Sequence, residues 1–185
     1  QTVPQAIAED EPERVRLLLD IEVDSTNMIY ANPVSPELAS GAFYDRLGTP
    51  FYLSPDKLES DYAPVRFECE LRLFRTFCRQ GKVMDVGCST GAFLFNLRAR
   101  YPGDYSIVGT DVTSAALDYA ESRGVPVMRN SFLELGQEEQ RFDAITFWAV
   151  MEHLVHPKRF LAKTASLLKP GGFCFILVPN MRSLA

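Results

Sequence analysis

The sequence predicts a doubly wound α/β fold: a mostly parallel sheet with helices on both faces, preceded by a helical or irregular cover. Two observations lead there. From about residue 66 onward, short apolar runs alternate with segments of helical periodicity, and that alternation is the pattern of parallel strands joined by crossover helices. The first apolar run then ends in a turn with a glycine at each end, Gly87 and Gly91, which opens into a helix. Glycine there lets the backbone take positive φ and come close to a ligand.

The elements follow in order. Gln1 to about Glu13 is polar, with Glu9, Asp10, Glu11 and Glu13 close together, as in a loosely attached arm. Val15 to Ile29 holds a short helix or strands, and Ala31 to Ser60 is punctuated by Pro33, Pro36, Gly41, Gly48, Pro50 and Pro55. Residues 1–65 therefore read as arm and cover, and residues 66–185 as the core. In Arg66 to Cys78, Phe67, Leu71, Phe74 and Phe77 recur at helical spacing, and Gly81 ends the segment. Strands are expected at Val83–Val86, Ser106–Thr110, Pro126–Met128, Phe142–Ala149 and Phe173–Val178. Helices are expected at Ala92–Arg100, Ser114–Ser122 and Pro157–Leu168.

Composition removes several classes. The apolar run Phe173 to Val178 is too short to cross a bilayer and the N-terminus is not signal-like, so a cytoplasmic protein without a membrane partner is expected. Cys69, Cys78, Cys88 and Cys174 show no CxxC spacing, and neither His153 nor His156 lies near a cysteine, so no zinc site or disulfide framework is expected. A net charge of -5 argues against a nucleic-acid partner.

In sheets of this kind ligands bind beyond the carboxyl ends of the strands. The first of these loops reads D-x-G-x-x-x-G at Asp85, Gly87 and Gly91. A nicotinamide dinucleotide would want G-x-G-x-x-G, and at the matching positions Gly87, Ser89 and Ala92 only the first is glycine. Asp111, at the end of the second strand, suits acceptance of hydrogen bonds from two ribose hydroxyls. The purely structural alternative is a cap for the helix near Ser114.

The run Val83-Met84-Asp85-Val86-Gly87-Cys88-Ser89-Thr90-Gly91 resembles the first motif of the class I S-adenosylmethionine-dependent methyltransferases, commonly V-L-D-V-G-C-G-T-G, with Ser89 in place of the middle glycine. The resemblance continues through Asn130-Ser131-Phe132, Phe142 to Leu154 with its Glu152-His153 pair, the turn Leu168-Lys169-Pro170-Gly171-Gly172, and Val178-Pro179-Asn180. It implies a Rossmann-like core that binds S-adenosylmethionine, releases S-adenosylhomocysteine and methylates a small molecule, with oxygen as the first choice of nucleophile. The cofactor residues it implies are Asp85, Gly87, Cys88, Ser89, Gly91, Asp111, Val112, Asn130, Ser131, Phe132, Phe147 and Trp148. Cys88 would pack beneath the cofactor. Asn130 or Ser131 as a helix cap, and Phe132 or Trp148 as core, are the structural alternatives. A non-catalytic S-adenosylmethionine-binding module and a nicotinamide-dependent oxidoreductase are the competing functions.

A methyl sulfonium is already activated, so such an enzyme needs alignment and exclusion of water more than covalent or metal chemistry. A base helps where the nucleophile must lose a proton, and His153 is the catalytic candidate. Alternatively Glu152 and His153 simply begin a helix. A metal site from Glu152, His153 and His156 is not expected, because Pro157 follows directly and convergence is poor. The segment Asn32 to Pro64 resembles the piece that closes over the cofactor in many relatives, with Tyr44, Phe51, Tyr52 and Tyr62 either lining a substrate pocket or anchoring the segment. Tyr30-Ala31-Asn32-Pro33 resembles the end of a zinc-ribbon prefix, but no cysteine precedes it. The usual seven-stranded sheet of the family would lack its last two strands here, leaving Phe173 to Val178 an apolar edge to be covered by the arm, a C-terminal segment or a second copy in a homodimer.

Overall fold

The computed structural model describes residues 20–23, 29–32, 41–136 and 142–179. The expected arm over Gln1 to Glu13, most of Val15 to Ile29, and Asn180 lie outside the described residues. Strands β1 (Asp20–Val23) and β2 (Ile29–Asn32) pair antiparallel. Helical pieces α1 (Gly41–Phe43) and α2 (Thr49–Tyr52) flank a π-helical stretch, Tyr44–Gly48, and α3 (Pro55–Tyr62) follows.

The core alternates as expected: α4 (Glu68–Phe77), β3 (Gly81–Val86), α5 (Ala92–Arg100), β4 (Tyr105–Thr110), α6 (Ser114–Ser122), β5 (Val127–Met128), β6 (Phe142–Trp148), α7 (Pro157–Leu167) and β7 (Leu168–Leu177). The five core strands lie in the order β5-β4-β3-β6-β7, all parallel. The chain winds outward from β3 through β4 to β5, then returns to β6 on the other side of β3. The carboxyl ends of β3 and β6 thus flank the switch point, where a ligand crevice opens in such sheets.

Two apolar layers sandwich the sheet. On one face Leu71 and Phe74 of α4, Phe93, Leu94 and Leu97 of α5 and Ala120 of α6 pack with Val83, Ile107 and Ala144. On the other, Phe132, Leu135 and Leu167 pack with Met84, Val86, Ile145 and Phe147. The near-continuous burial of β3 and β6 fits a parallel sheet covered on both faces.

Two elements differ from expectation. The last strand begins earlier: Leu168 pairs with Phe142 and Phe173 with Ala144, so the Lys169-Pro170-Gly171-Gly172 segment expected as a turn is an irregular bulge inside β7. Gly171 at φ +79° permits it, and at Gly172 a Cβ would sit 3.0–3.1 Å from three carbonyl oxygens. Phe77, expected on the buried face of its helix, lies outside the core against Phe173 and Phe175 of β7. Among the described strands β7 is an edge, and Phe173, Ile176, Leu177 and Val178 are between 38% and 49% exposed. No helix of the described residues is long and apolar enough to cross a membrane.

Candidate cofactor and acceptor cavity

A cavity of about 730 Å³ opens over the strand ends, within the usual range for small-molecule sites. Its floor is the loop after β3. Gly87 has φ +72°, and a Cβ there would meet Val150 Cγ2 at 2.4 Å. Gly91 has φ +78°, and a Cβ there would sit 3.0 Å from the Ala120 Cβ. Both glycines are therefore fixed by conformation and by space. Ser89 also takes positive φ, +48°, a conformation that costs an L-residue about 1–2 kcal/mol. Its backbone N–H donates to Asp111 Oδ2 at 2.8 Å.

Asp111 joins two loops. While Oδ2 accepts from Ser89, Oδ1 accepts from the Thr113 N–H at 2.8 Å, and the carboxylate still faces the cavity. Each carboxylate oxygen has a second lone pair, so both remain acceptors for a ligand. Thr113 directly precedes α6, and the Ser114 N–H at the start of that helix donates to Asp45 Oδ1 of the cover, at 3.1 Å. Nothing in the local sequence pairs residues so far apart, and that contact was not legible there.

Asp85 is fully enclosed beneath the loop and accepts from Thr146 Oγ1 at 2.6 Å. Burial pushes its carboxyl up to about 7; the Thr146 hydroxyl opposes the rise and the nearby Asp111 adds to it. Cys88 is buried between these carboxylates, and the Gly109 position has room only for its thiol: a Cβ on Gly109 would meet Cys88 Sγ at 2.5 Å. Burial, then Asp85 and Asp111, raise the thiol well above its ordinary range, so Cys88 is a packing group and not a nucleophile.

The remaining strand ends supply the walls. Val112, Asn130, Ser131, Phe132 and Trp148 line the cavity. Phe132 is also core, stacked on Phe160 with ring centroids 5.7 Å apart. Phe147 departs from the expectation of cavity contact. It is fully buried on the opposite layer, edge-on to Phe132, because the alternation of β6 sends it to the other face from Thr146 and Trp148. Trp148 packs on Phe93 at 4.8 Å, and its buried indole N–H has no hydrogen-bond partner among the described residues.

His153 lies in a short 3-10 turn, Met151–His153, ahead of α7 and separate from it. Its side chain is 53% exposed, its Nε2 is 3.9 Å from Glu152 Oε1, and the Tyr44 ring meets it edge-on at 5.8 Å. Glu152, His153 and His156 do not form a metal-binding group, and no such group of three occurs among the described residues.

The cover forms the roof. Tyr44, Phe51 and Tyr52 line the cavity, whereas Tyr62 is an anchor: its hydroxyl donates to the Thr90 carbonyl at 2.5 Å and its ring contacts Phe95 and Tyr119. Burial, with smaller effects from Tyr119 and others, pushes the Tyr62 phenol up to about 12. Burial also raises Tyr44 and Tyr52, the latter with help from the Asp111 charge. The sequence reading missed a charged cluster at this end, Lys57, Asp61, Arg66 and Glu70. Asp61 binds Lys57 at 2.6 Å and Arg66 at 3.5 Å. The spacing of Lys57 and Asp61, four apart on α3, was the available signal.

Residues 66–185 match the model of a family described as "Methyltransferase domain". The chain is 31% identical over 104 residues to a ubiquinone biosynthesis O-methyltransferase of Coxiella burnetii, covering 53% of this chain and 43% of that protein. It is 33% identical over 142 residues to the protein of that name from Cereibacter sphaeroides, covering 72% of this chain and 56% of that one. The chain thus spans about half the length of these relatives. Among solved structures, its fold is similar to that of an S-adenosylmethionine-bound amino pentose methyltransferase from Micromonospora echinaspora, with a TM-score of 0.53, 23% identity, and coverage of 62% of this chain and 50% of that one.

Proposed function

We propose, from the premise that this chain belongs to the methyltransferase domain family, that its cavity binds S-adenosylmethionine and that it transfers the methyl group to an oxygen of a small-molecule acceptor. The observation that carries the reading is the union of the Gly87–Gly91 loop with Asp111, a glycine cradle beside a carboxylate with lone pairs to spare. The names of the O-methyltransferase relatives support oxygen as the acceptor atom.

The residues present fit the cofactor. Asp111 would accept from the ribose hydroxyls, while Val112, Asn130, Ser131 and Phe132 would flank the adenine. Arg66 would take the amino-acid carboxylate, since Lys57 is the closer partner of Asp61. Asp85, bonded to the Thr146 hydroxyl, would support the glycine loop from beneath. When bound, S-adenosylmethionine supplies an electrophilic methyl group on a sulfonium.

The residues' own task is alignment and proton management. Tyr44, Phe51, Tyr52 and Trp148 exclude water and wall the acceptor. His153, steadied by the Tyr44 ring edge and facing Glu152, would take the proton from the acceptor hydroxyl as the oxygen–methyl bond forms and the sulfur–methyl bond breaks. Residues 1–65 would serve as the cover and residues 66–185 as the cofactor-binding core. The cysteines, free in the structure, support a reducing, cytoplasmic setting.

Calorimetric titration with S-adenosylmethionine and S-adenosylhomocysteine, with NAD as comparison, tests the reading. Micromolar binding of both sulfur ligands that Asp111→Ala weakens about a hundredfold is expected, from the loss of hydrogen bonds to a charged group. Tighter binding of NAD, or affinity untouched in Asp111→Ala, would overturn it.

A further inference from the structure

The cavity carries cations on two separate elements, and one cofactor carboxylate meets only one of these groups. On the cover side, Lys57 and Arg66 share Asp61. On the far side, His156, just before α7, and Arg159, in its first turn, line the same cavity and have no side-chain partner among the described residues. The Arg159 N–H donates to the His156 carbonyl at 3.0 Å, so the two residues are fixed within one turn.

Three of the four acidic groups on the wall are engaged: Asp85 accepts from Thr146, Asp111 accepts from Ser89 and Thr113, and Asp61 pairs with Lys57 and Arg66. The fourth, Glu70, lies on α4, a different element from His156 and Arg159, and is not paired with either. Two unpaired basic side chains at one cavity wall are a local feature in a chain of net charge -5. A guanidinium beside an imidazole is well suited to a planar or tetrahedral oxyanion, through charge-assisted hydrogen bonds.

Building on the methyltransferase reading of this cavity, we infer that His156 and Arg159 recognise an anionic group, a carboxylate or a phosphate, on the methyl acceptor. The acceptor is then a small organic anion, with its hydroxyl at His153 and its charged end against the first turn of α7. Val155 and Phe160, which also line the cavity, provide apolar contact for its body.

The test is titration of the full chain, saturated with S-adenosylhomocysteine, with benzoate, phenyl phosphate and phenol. At least one anion is expected to bind about tenfold more tightly than phenol, the magnitude of a single charge-assisted contact. The order of benzoate and phenyl phosphate separates carboxylate from phosphate recognition. Arg159→Gln and His156→Gln should each remove most of the preference while leaving S-adenosylhomocysteine affinity as it was. No preference for either anion over phenol, including no binding of any probe, overturns the inference. An equal loss of S-adenosylhomocysteine affinity in Arg159→Gln overturns it too, assigning that side chain to the cofactor. If the unsubstituted chain fails to bind S-adenosylhomocysteine at all, the methyltransferase reading falls first and this inference with it.

Discussion

The floor and the roof of the cavity are built in different ways. On the floor, Gly87, Ser89 and Gly91 take positive φ over fully enclosed side chains, Asp85 is tied to Thr146 of β6, and Asp111 is tied to the loop at Ser89. The roof is a string of short helices whose rings are partly exposed, held down by a few side-chain contacts: Asp45 to the Ser114 N–H, Tyr62 to the Thr90 carbonyl, and the Asn96 amide to the Asp61 carbonyl. Rigid geometry is therefore concentrated where the cofactor would be aligned. Adjustable contact lies where an acceptor must enter and leave.

The sharpest way to break this comparison is to substitute both sides and compare unfolding in urea. Gly91→Val adds a branched side chain at φ +78° against Ala120, and a loss of about 3 kcal/mol or more is expected. Phe51→Ala on the roof, at an exposed ring, should change stability by no more than about 0.5 kcal/mol. Comparable losses would mean that the roof is as integral as the floor.

The next effect is a pH dependence confined to the floor. Asp85 has its carboxyl raised from 3.8 to about 7, so the folded chain holds a proton there that the unfolded chain has released. The stability that this proton confers is fully present below 3.8 and is lost as the pH rises through about 7. In the ligand-free protein, Asp85→Asn should flatten that part of the profile measured by thermal melting. An unchanged slope in the variant would place the titrating group elsewhere.

Smaller effects sharpen the contrast. Tyr62→Phe removes one roof anchor and should cost about 1 kcal/mol, with faster amide exchange in α3 but not in β3. Ser89→Gly should relieve the left-handed strain at the cost of chain entropy, for a net gain of about 0.5 kcal/mol in the melting experiment. A loss in that last variant would show that the Ser89 side chain has a role in the folded state that the backbone conformation does not explain.

The floor was far more legible in the sequence than the roof. Glycines at fixed spacing, an aspartate at each of the first two strand ends and the alternation of apolar runs are local signals, and they located β3, β4 and β6 to within a residue or two. Phe147 shows the limit: it adjoins Trp148 in sequence, yet strand alternation puts the two on opposite faces. The Lys169 to Gly172 segment reads as a turn because proline and glycine mark turns, but the pairing of Leu168 with Phe142 draws it into the strand as a bulge.

By itself, then, the sequence determined the winding of the sheet, the glycine loop and the place of Asp111, because each depends on backbone conformation and periodicity over a few residues. Only the tertiary structure decided which aromatic rings of the cover face the cavity and which anchor it, that Asp45 meets the start of α6, and that Lys57, Arg66, His156 and Arg159 line one open cavity. Those contacts join residues far apart in the chain, and their energies depend on burial and pairing that exist only once the layers have packed.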